Sequence, residues 1–153
     1  MEWRYIDKSE TDLLRTAYEW EAGFPKWYQD AGCILRSTFE EALAFYETCV
    51  LYGLFDAGEF VGLIYMEHYT PGHLNIHLDL KRGVRIGPEI IEKVRDSEFR
   101  KGIRTGQVWV MRRNRPLRTV LKLAGFDETG LTMRQGSSHG KVFKWDQLVV
   151  VRA

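Results

Sequence analysis

The sequence has few cysteines, and their spacing suits neither a metal site nor a redox motif. Cys33 and Cys49 are the two cysteines in 153 residues, and they stand far apart, outside any Cys-x-x-Cys pair or histidine cluster. None of the spacings typical of zinc ligands is present, so we predict no metal site. We interpret both residues as reduced core thiols of a cytosolic protein.

The sequence also lacks an excess of either charge, and it lacks a long apolar run. Its 22 basic and 21 acidic side chains leave a formal net charge of +1. This balance gives no electrostatic reason to expect nucleic acid or a membrane surface as a partner. No apolar run approaches the ~20 residues that span a bilayer, and the N-terminus MEWRYIDKSE has no signal-peptide core. We therefore expect a cytoplasmic protein with neither kind of partner.

What is present is enough to build a core. Hydrophobic residues make up 44% of the chain and aromatic residues 13%, which excludes a disordered tail. A length of 153 residues fits one compact domain, and no linker, repeat or low-complexity tract divides it. We predict a single domain over residues 1–153, as a monomer or a homodimer.

The first third of the chain predicts a strand and two helices. EWRYI is a short candidate strand, and SETD offers a capping box with Ser9 as the N-cap and Asp12 three residues later. STFEE opens a second helix with Ser37 as its cap. An apolar stripe at helical spacing follows it: Ala42, Phe45, Tyr46 and Cys49.

The remaining two thirds alternate between strand and helix patterns. VLYGLF and FVGLIYM, joined by DAGE, predict a hairpin. A strand HLNIHLDL, a helix from about Gly87 to Arg100, a strand GQVWVM and a helix RPLRTVLKLAGF ended by Gly125 come next, before a final hairpin. The predicted order is β α α β β β α β α β β, a mixed α/β fold of about seven strands and four helices.

The strand HLNIHLDL alternates strictly between apolar and polar residues. Its leucines and isoleucine face one side, while Asn75, His77 and Asp79 face the other. This pattern predicts a half-covered strand whose second face carries polar side chains. His77 suits proton transfer near neutral pH.

Two motifs on these elements carry a resemblance to a known family. RGVRIG, Arg82 to Gly87, follows the fourth strand, and NRPLRTVLKLAGF, Asn114 to Phe126, follows the fifth. In order and spacing they resemble the GNAT superfamily of N-acetyltransferases, including its small phage-encoded members. That family has a loop Arg/Gln-x-x-Gly-x-Gly/Ala and then Asn, a helix and Gly-Phe. The resemblance implies a mostly antiparallel sheet, acetyl-CoA as co-substrate and an amine acceptor.

The resemblance also implies which residues hold the cofactor. Such a loop binds the pyrophosphate of coenzyme A through backbone N–H groups and the positive end of the next helix. Asn114 would contact the cofactor arm, although the same residue suits an N-cap. The residues assigned to the cofactor in this way are Leu80, Arg82, Gly83, Val84, Arg85, Gly87 and Asn114.

The loop departs from the family pattern at three positions. Arg85 replaces the middle glycine, Pro88 offers no N–H, and Glu89 places a negative charge where a phosphate would approach. A plain structural interpretation also fits, because Gly87 as cap, Pro88 at the first helical position and Glu89 in the first turn make a favourable helix start.

Acetyl transfer needs a base for the amine and a donor for the developing oxyanion. Glu67 and His77 are the predicted catalytic residues, with His68 as a further candidate base. The family's acid is a tyrosine seven residues after the asparagine, and here that position is Leu121. A thiolate with a pKa near 8.5 can leave without full protonation. The tyrosines elsewhere in the chain that could substitute for the missing acid are Tyr65 and Tyr69.

Two hypotheses follow for function. The first is an N-acetyltransferase acting by direct attack of an amine on acetyl-CoA. The residues that favour it are Arg82, Gly87, Asn114, Gly125 and Phe126. The second is a GNAT-like protein without catalysis that serves as a binding or assembly module, which Arg85, Pro88 and Leu121 favour. The sequence leaves the acceptor open among small amines, aminoglycoside-like molecules, protein lysines and N-termini. Aromatic residues of the first helices could line an acceptor groove or pack a corner: Trp20, Phe24, Trp27 and Tyr28.

Overall fold

The computed structural model of the chain describes residues 1–24 and 38–153. These residues form seven strands and four helices in the predicted order, which is confirmed. The elements are β1 (Glu2–Tyr5), α1 (Thr11–Ala22), α2 (Phe39–Tyr46), β2 (Cys49–Asp56), β3 (Glu59–Thr70), β4 (His73–Leu80), α3 (Pro88–Arg100), β5 (Thr105–Met111), α4 (Arg115–Leu123), β6 (Asp127–Ser138) and β7 (Lys141–Val151).

The strands follow the order β1-β2-β3-β4-β5-β7-β6 in a seven-stranded sheet. The pairs β1–β2, β2–β3, β5–β7 and β6–β7 are antiparallel. The pair β4–β5 is parallel and joins three residues of each strand, from His73–Thr105 to Asn75–Gln107. The predicted mixed α/β fold with a mostly antiparallel sheet is therefore confirmed.

The predicted turn between β2 and β3 has the expected geometry. Ala57 and Gly58 both adopt positive φ angles, 49° and 83°. Two such residues in succession make a turn whose twist matches that of the flanking strands. The hairpin places β3 between β2 and β4 in the sheet, as the uninterrupted apolar run FVGLIYM predicts.

The fold consists of two compact units. The first comprises the described residues of Met1–Glu67 together with His77–Arg85. Its core gathers apolar side chains from α1, α2, β2 and β3, among them Leu14, Ala17, Phe39, Ala42, Leu51 and Leu63. This core holds the inner faces of both helices. The single domain spanning residues 1–153 stays a prediction.

The second unit comprises His68–Ile76 and Ile86–Ala153. A charged network connects the approach to α4 with β7, because Arg112 donates to both carboxylate oxygens of Asp146 at 2.8 and 3.1 Å. Arg118 donates to the backbone oxygen of Arg112 at 3.0 Å and to the carboxylate of Glu128. The basic run MRRNR, residues 111–115, is thus partly neutralised within its own unit.

The cap predicted for α1 is wrong. The helix begins at Thr11, and its N-cap Glu10 makes no side-chain bond to the first turn. Ser9 instead donates both its backbone N–H and its hydroxyl to Asp7 Oδ1, at 2.8 and 2.6 Å. The aspartate two residues earlier competes for the serine and draws it into a local turn.

The second helix is capped by Thr38, whose Oγ1 accepts a hydrogen bond from the N–H of Glu41 at 3.2 Å. The predicted cap Ser37 and the other cysteine, Cys33, lie outside the described residues. Cys49 is a buried thiol, as predicted, and its Sγ donates to the backbone oxygen of Phe45 at 3.3 Å. It begins β2 and does not extend the helical stripe. None of the helices in the described part of the chain is long and apolar enough to cross a membrane.

The close packing of β1 and β2 gives a test of the core. A Cβ at Gly53 would lie 2.5 Å from Ile6 Cδ1 and 2.9 Å from Phe55 Cε2. We expect Gly53→Ala to lower the free energy of unfolding by about 1–3 kcal/mol, since the site is already filled. Ile6→Val removes the clashing Cδ1 atom. The double variant should therefore lose less stability than the two single variants together. Urea denaturation of the four proteins measures this coupling, and strict additivity would contradict the packing described.

Candidate active site

The polar face of β4 carries the centre of the candidate site. The two predicted catalytic residues lie together, because His77 Nε2 is 3.2 Å from Glu67 Oε1 across the neighbouring strands β3 and β4. The side chains are 18% exposed for His77 and 34% for Glu67. Both side chains of the pair are therefore partly exposed to solvent. Both residues belong to the first unit.

Aromatic rings fix the plane of the His77 imidazole. The Tyr65 ring stacks on it with a centroid distance of 4.8 Å and an interplanar angle of 14°. The Phe45 ring meets it edge-on at 6.2 Å and 76°. Both distances lie in the range in which ring pairs attract each other. The imidazole is therefore bounded by a ring face, a ring edge and a carboxylate.

Tyr65 is itself held from several sides. It is buried, and the rings of Tyr46 and Phe45 contact it edge-on at 5.5 and 6.0 Å. Its hydroxyl donates to Glu21 Oε1 at 3.1 Å. Burial raises the pKa of Tyr65 well above its usual range, and the charges of Asp79 and Glu21 raise it further. The phenol thus stays protonated and remains a donor.

Behind Tyr65 lie two buried carboxyl groups, Glu21 of α1 and Asp79 of β4, which we call the acid pair. The pKa of Asp79 is well above its usual range, first because the group is buried, and then because of the charge of Glu21 and a hydrogen bond with it. The Tyr65 hydroxyl acts in the opposite direction. Asp79 therefore keeps its proton to a higher pH than an exposed aspartate does.

The burial of Asp79 corrects the sequence analysis. The alternating pattern placed it on an open polar face with His77, but it is only 6% exposed. Among the described residues, no hydrogen-bond partner meets its Oδ2 atom. Contact with Glu21 and Tyr65 covers this end of the face. Glu21 was missed altogether, although it stands seven residues after Leu14 and four after Ala17, on the buried stripe of α1.

The predicted cofactor loop begins where β4 ends. The N–H of Val84 donates to the oxygen of Lys81 at 3.1 Å, which closes a turn with Gly83 at a φ of +86°. A side chain at Gly83 would be strained in this turn. Arg82 and Arg85 are exposed, and within the described ranges neither forms an ion pair. The loop therefore presents two cations to solvent.

The two ends of this loop differ in character. Leu80 is half-buried and packs on Gly62 of β3, where a Cβ would lie 2.7 Å from its Cδ2 atom. Gly87 is the N-cap of α3, with Pro88 at the first helical position, as predicted. The Glu89 carboxylate folds back over Gly87, where a Cβ would overlap it. The helix N-terminus thus already has a negative group beside it.

Asn114 caps helix α4, and its Oδ1 accepts a hydrogen bond from the N–H of Leu117 at 3.3 Å. The predicted cap is confirmed, and the contact to a cofactor arm stays a prediction. Leu121 is buried on the apolar face of this helix. Gly125, at a φ of +92°, ends it as predicted.

Among the described residues, His68, His73 and Trp20 do not join this cluster. His68 is exposed, and His73 shares a hydrogen bond with Thr105 Oγ1. Trp20 stacks on Phe60 at 5.1 Å and 27°, which agrees with a packing role. Phe24 is half-buried. Trp27 and Tyr28 lie outside the described residues.

Comparison with solved structures identifies the fold. The chain is similar to a ribosomal-protein-alanine N-acetyltransferase from Brucella melitensis, with a TM-score of 0.76, 14% identity and coverage of 99% of this chain and 100% of that one. It is as similar to a GNAT-family acetyltransferase from Streptococcus pneumoniae, with a TM-score of 0.76, 14% identity and 99% coverage of both chains. This chain has the GNAT fold.

A variant of the spermidine N-acetyltransferase from Vibrio cholerae extends the GNAT comparison, with a TM-score of 0.74, 12% identity and coverage of 99% of this chain and 95% of that one. No sequence profile of a protein family matches the chain, and no curated protein matches it in sequence. The likeness therefore concerns the GNAT fold, which the order of elements and the two sequence motifs predict.

The acid pair of this GNAT fold predicts an unusual pH dependence. Because the pKa of Asp79 is raised above its ordinary 3.8, the folded state holds more protons than the unfolded state at pH values between the two pKa values. The free energy of unfolding should then fall as pH rises through that window, by up to about 1.4 kcal/mol per pH unit. Asp79→Asn should remove this fall and be more stable than the wild type at alkaline pH.

The matched control is Asp127→Asn, which neutralises an exposed carboxylate at the start of β6. It should leave the pH dependence as in the wild type. Urea denaturation from pH 4 to pH 9 measures all three proteins. An unchanged slope in Asp79→Asn would show that Asp79 does not hold the proton.

Proposed function

We propose that this GNAT-fold protein is an N-acetyltransferase that moves an acetyl group from acetyl-CoA to an amine. The contact of Glu67 with His77 at 3.2 Å carries the proposal, since it supplies a base and its partner on an accessible surface. The names of two structural neighbours, a spermidine and a ribosomal-protein-alanine N-acetyltransferase, support an amine as acceptor.

In this reaction His77 takes a proton from the amine, and the Glu67 carboxylate stabilises the imidazolium as it forms. The amine nitrogen attacks the carbonyl carbon of the thioester, so that a C–N bond forms and the C–S bond breaks. The products are the acetylated amine and coenzyme A. The thiolate leaves without an acid, since its pKa near 8.5 already makes it a fair leaving group. A buried leucine at position 121 is compatible with this step.

The acetyl-CoA phosphates would be held by the loop after β4 and the start of α3. Arg82 and Arg85 supply exposed positive charge, and the turn at Gly83 leaves room, because nothing lies within 4 Å of a Cβ built there. The Glu89 carboxylate at Gly87 has to rotate away from the helix N-terminus when a phosphate binds. It is the end of a flexible side chain, so this rotation is feasible. In this proposal Leu80 and Val84 contact the cofactor through backbone groups.

Acetyl-CoA binding should be visible as a change in stability. Cofactor at ~100 times its dissociation constant should add about 2.7 kcal/mol to the free energy of unfolding, seen as a higher Tm. Arg82→Ala and Arg85→Ala should each reduce this shift, and Glu89→Gln should increase it, since it removes a competing negative charge. Lys93→Ala, an exposed cation of α3, is the matched control and should bind as the wild type does.

Loss of the catalytic pair should abolish transfer without abolishing cofactor binding. Thiol release from acetyl-CoA is measured with two probe acceptors, spermidine and a peptide whose N-terminal residue is alanine. We expect Glu67→Gln and His77→Ala to lower kcat by about 10²–10⁴-fold. Because the two residues act as a unit, the kcat of the double variant should be close to that of the less active single variant. His139→Asn, in the exposed turn before β7, serves as the control.

The alternative is a GNAT-fold protein that binds a partner and has no catalytic activity. Leu121 at the position of the family's acid and the Glu89 carboxylate at Gly87 favour it. No Tm shift at millimolar acetyl-CoA, together with no thiol release with either probe, would support this second function and overturn the first.

A further inference from the structure

The orientation of His77 depends on side chains that do not themselves reach its nitrogen atoms. Its ring lies nearly parallel to that of Tyr65, at 14°. The Glu67 carboxylate fixes one nitrogen at 3.2 Å. A carboxylate contact alone allows the imidazole to tilt about the Nε2···O axis, and the stacked ring removes that freedom.

We propose that Tyr65 is a positioning residue for His77 and that Glu21 sets the position of Tyr65 through its hydroxyl. This inference rests on the proposed function, in which His77 is the base. It extends the site inward from the exposed pair to a buried layer that joins β3 and α1.

The structure fixes the Tyr65 ring along two directions. Tyr46 and Phe45 meet it edge-on, at 81° and 90°, and so limit rotation of the ring about its long axis. The hydrogen bond to Glu21 Oε1 at 3.1 Å fixes the far end of that axis. A phenylalanine would keep the ring contacts and lose the second restraint. The hydroxyl is therefore expected to matter, which a purely apolar packing role does not require.

The contact with Asp79 keeps Glu21 able to accept the hydrogen bond from the Tyr65 hydroxyl. A proton on Asp79 allows Asp79 to donate to Glu21, so that the Glu21 carboxylate can accept from Tyr65 with only one negative charge in the buried layer. Glu21 lies in the last turn of α1. The end of that helix is thereby linked through Tyr65 to the plane of the His77 ring.

The first measurement is independent of any enzyme activity. Stacking on Tyr65 should displace the carbon-bound imidazole protons of His77 upfield in the NMR spectrum, with His77→Ala identifying the signals. Tyr65→Leu should abolish this displacement. Tyr65→Phe and Glu21→Ala should reduce the upfield displacement. Glu21→Gln should leave it close to that of the wild type, because the amide oxygen of the glutamine still accepts a hydrogen bond from the Tyr65 hydroxyl.

The second measurement is the split between kcat and KM in the thiol-release assay with spermidine and the alanine-terminated peptide. Tyr65→Leu should lower kcat about 10–100-fold, since small misplacements of a catalytic group have effects of this size. The KM for acetyl-CoA should stay within about twofold. Tyr65→Phe and Glu21→Ala should lower kcat about 3–10-fold, and Glu21→Gln should stay within about threefold of the wild type.

The control is Tyr52→Leu, which removes an equally buried tyrosine whose ring contacts are with Trp3 and Tyr5. It should lower the Tm without moving the His77 signals. Unchanged His77 signals in Tyr65→Leu would overturn the positioning role. If the signals move as expected while the wild type transfers no acetyl group to either probe, the orientation of His77 by Tyr65 stands and the proposed function fails.

Discussion

Helix α1 and strand β4 meet at two carboxyl groups that solvent barely reaches, where burial raises the pKa of Asp79. Glu21 and Asp79 could not both be ionised there without strong repulsion in a poorly solvated environment. Burial of the pair is tolerable because one group keeps its proton and the Tyr65 hydroxyl donates to the other. The aromatic layer of Tyr46, Tyr65 and Phe45 is arranged around this contact, and the half-exposed pair Glu67 and His77 lies at its outer edge.

Most of the fold could be predicted from the sequence because local signals agreed with each other. The hairpin at Ala57–Gly58, the cap at Asn114 and the helix end at Gly125 are each decided by residues close in sequence. Glu67 and His77 were both predicted as candidate bases, but their contact was not. That contact depends on the register of β3 and β4, which the sequence does not give. The error at Ser9 arose because two local partners competed for one hydroxyl.

The buried layer of the site could not be predicted in the same way. Alternation along β4 assigns Asp79 to a face but does not tell what covers that face. Its cover comes from Glu21, which lies 58 positions earlier in the chain, and from Tyr65 of the neighbouring strand. A buried pair of two carboxyl groups cannot be recognised in a single sequence by matching opposite charges. Each of the two residues, taken alone, is typical of a solvent-exposed position. A glutamate on the buried stripe of α1 was the one local sign.

The leucine at the buried face of α4 has a consequence for the proposed acetyl transfer. An enzyme that uses both a base and an acid loses activity at low pH, where the base is protonated, and at high pH, where the acid is ionised. With a buried leucine at position 121, the proposed reaction has no acid at that position whose ionisation would limit it. For the proposed reaction, the rate would then rise with pH and level off. The protein would stay active under alkaline conditions up to the pH at which the fold loses its stability.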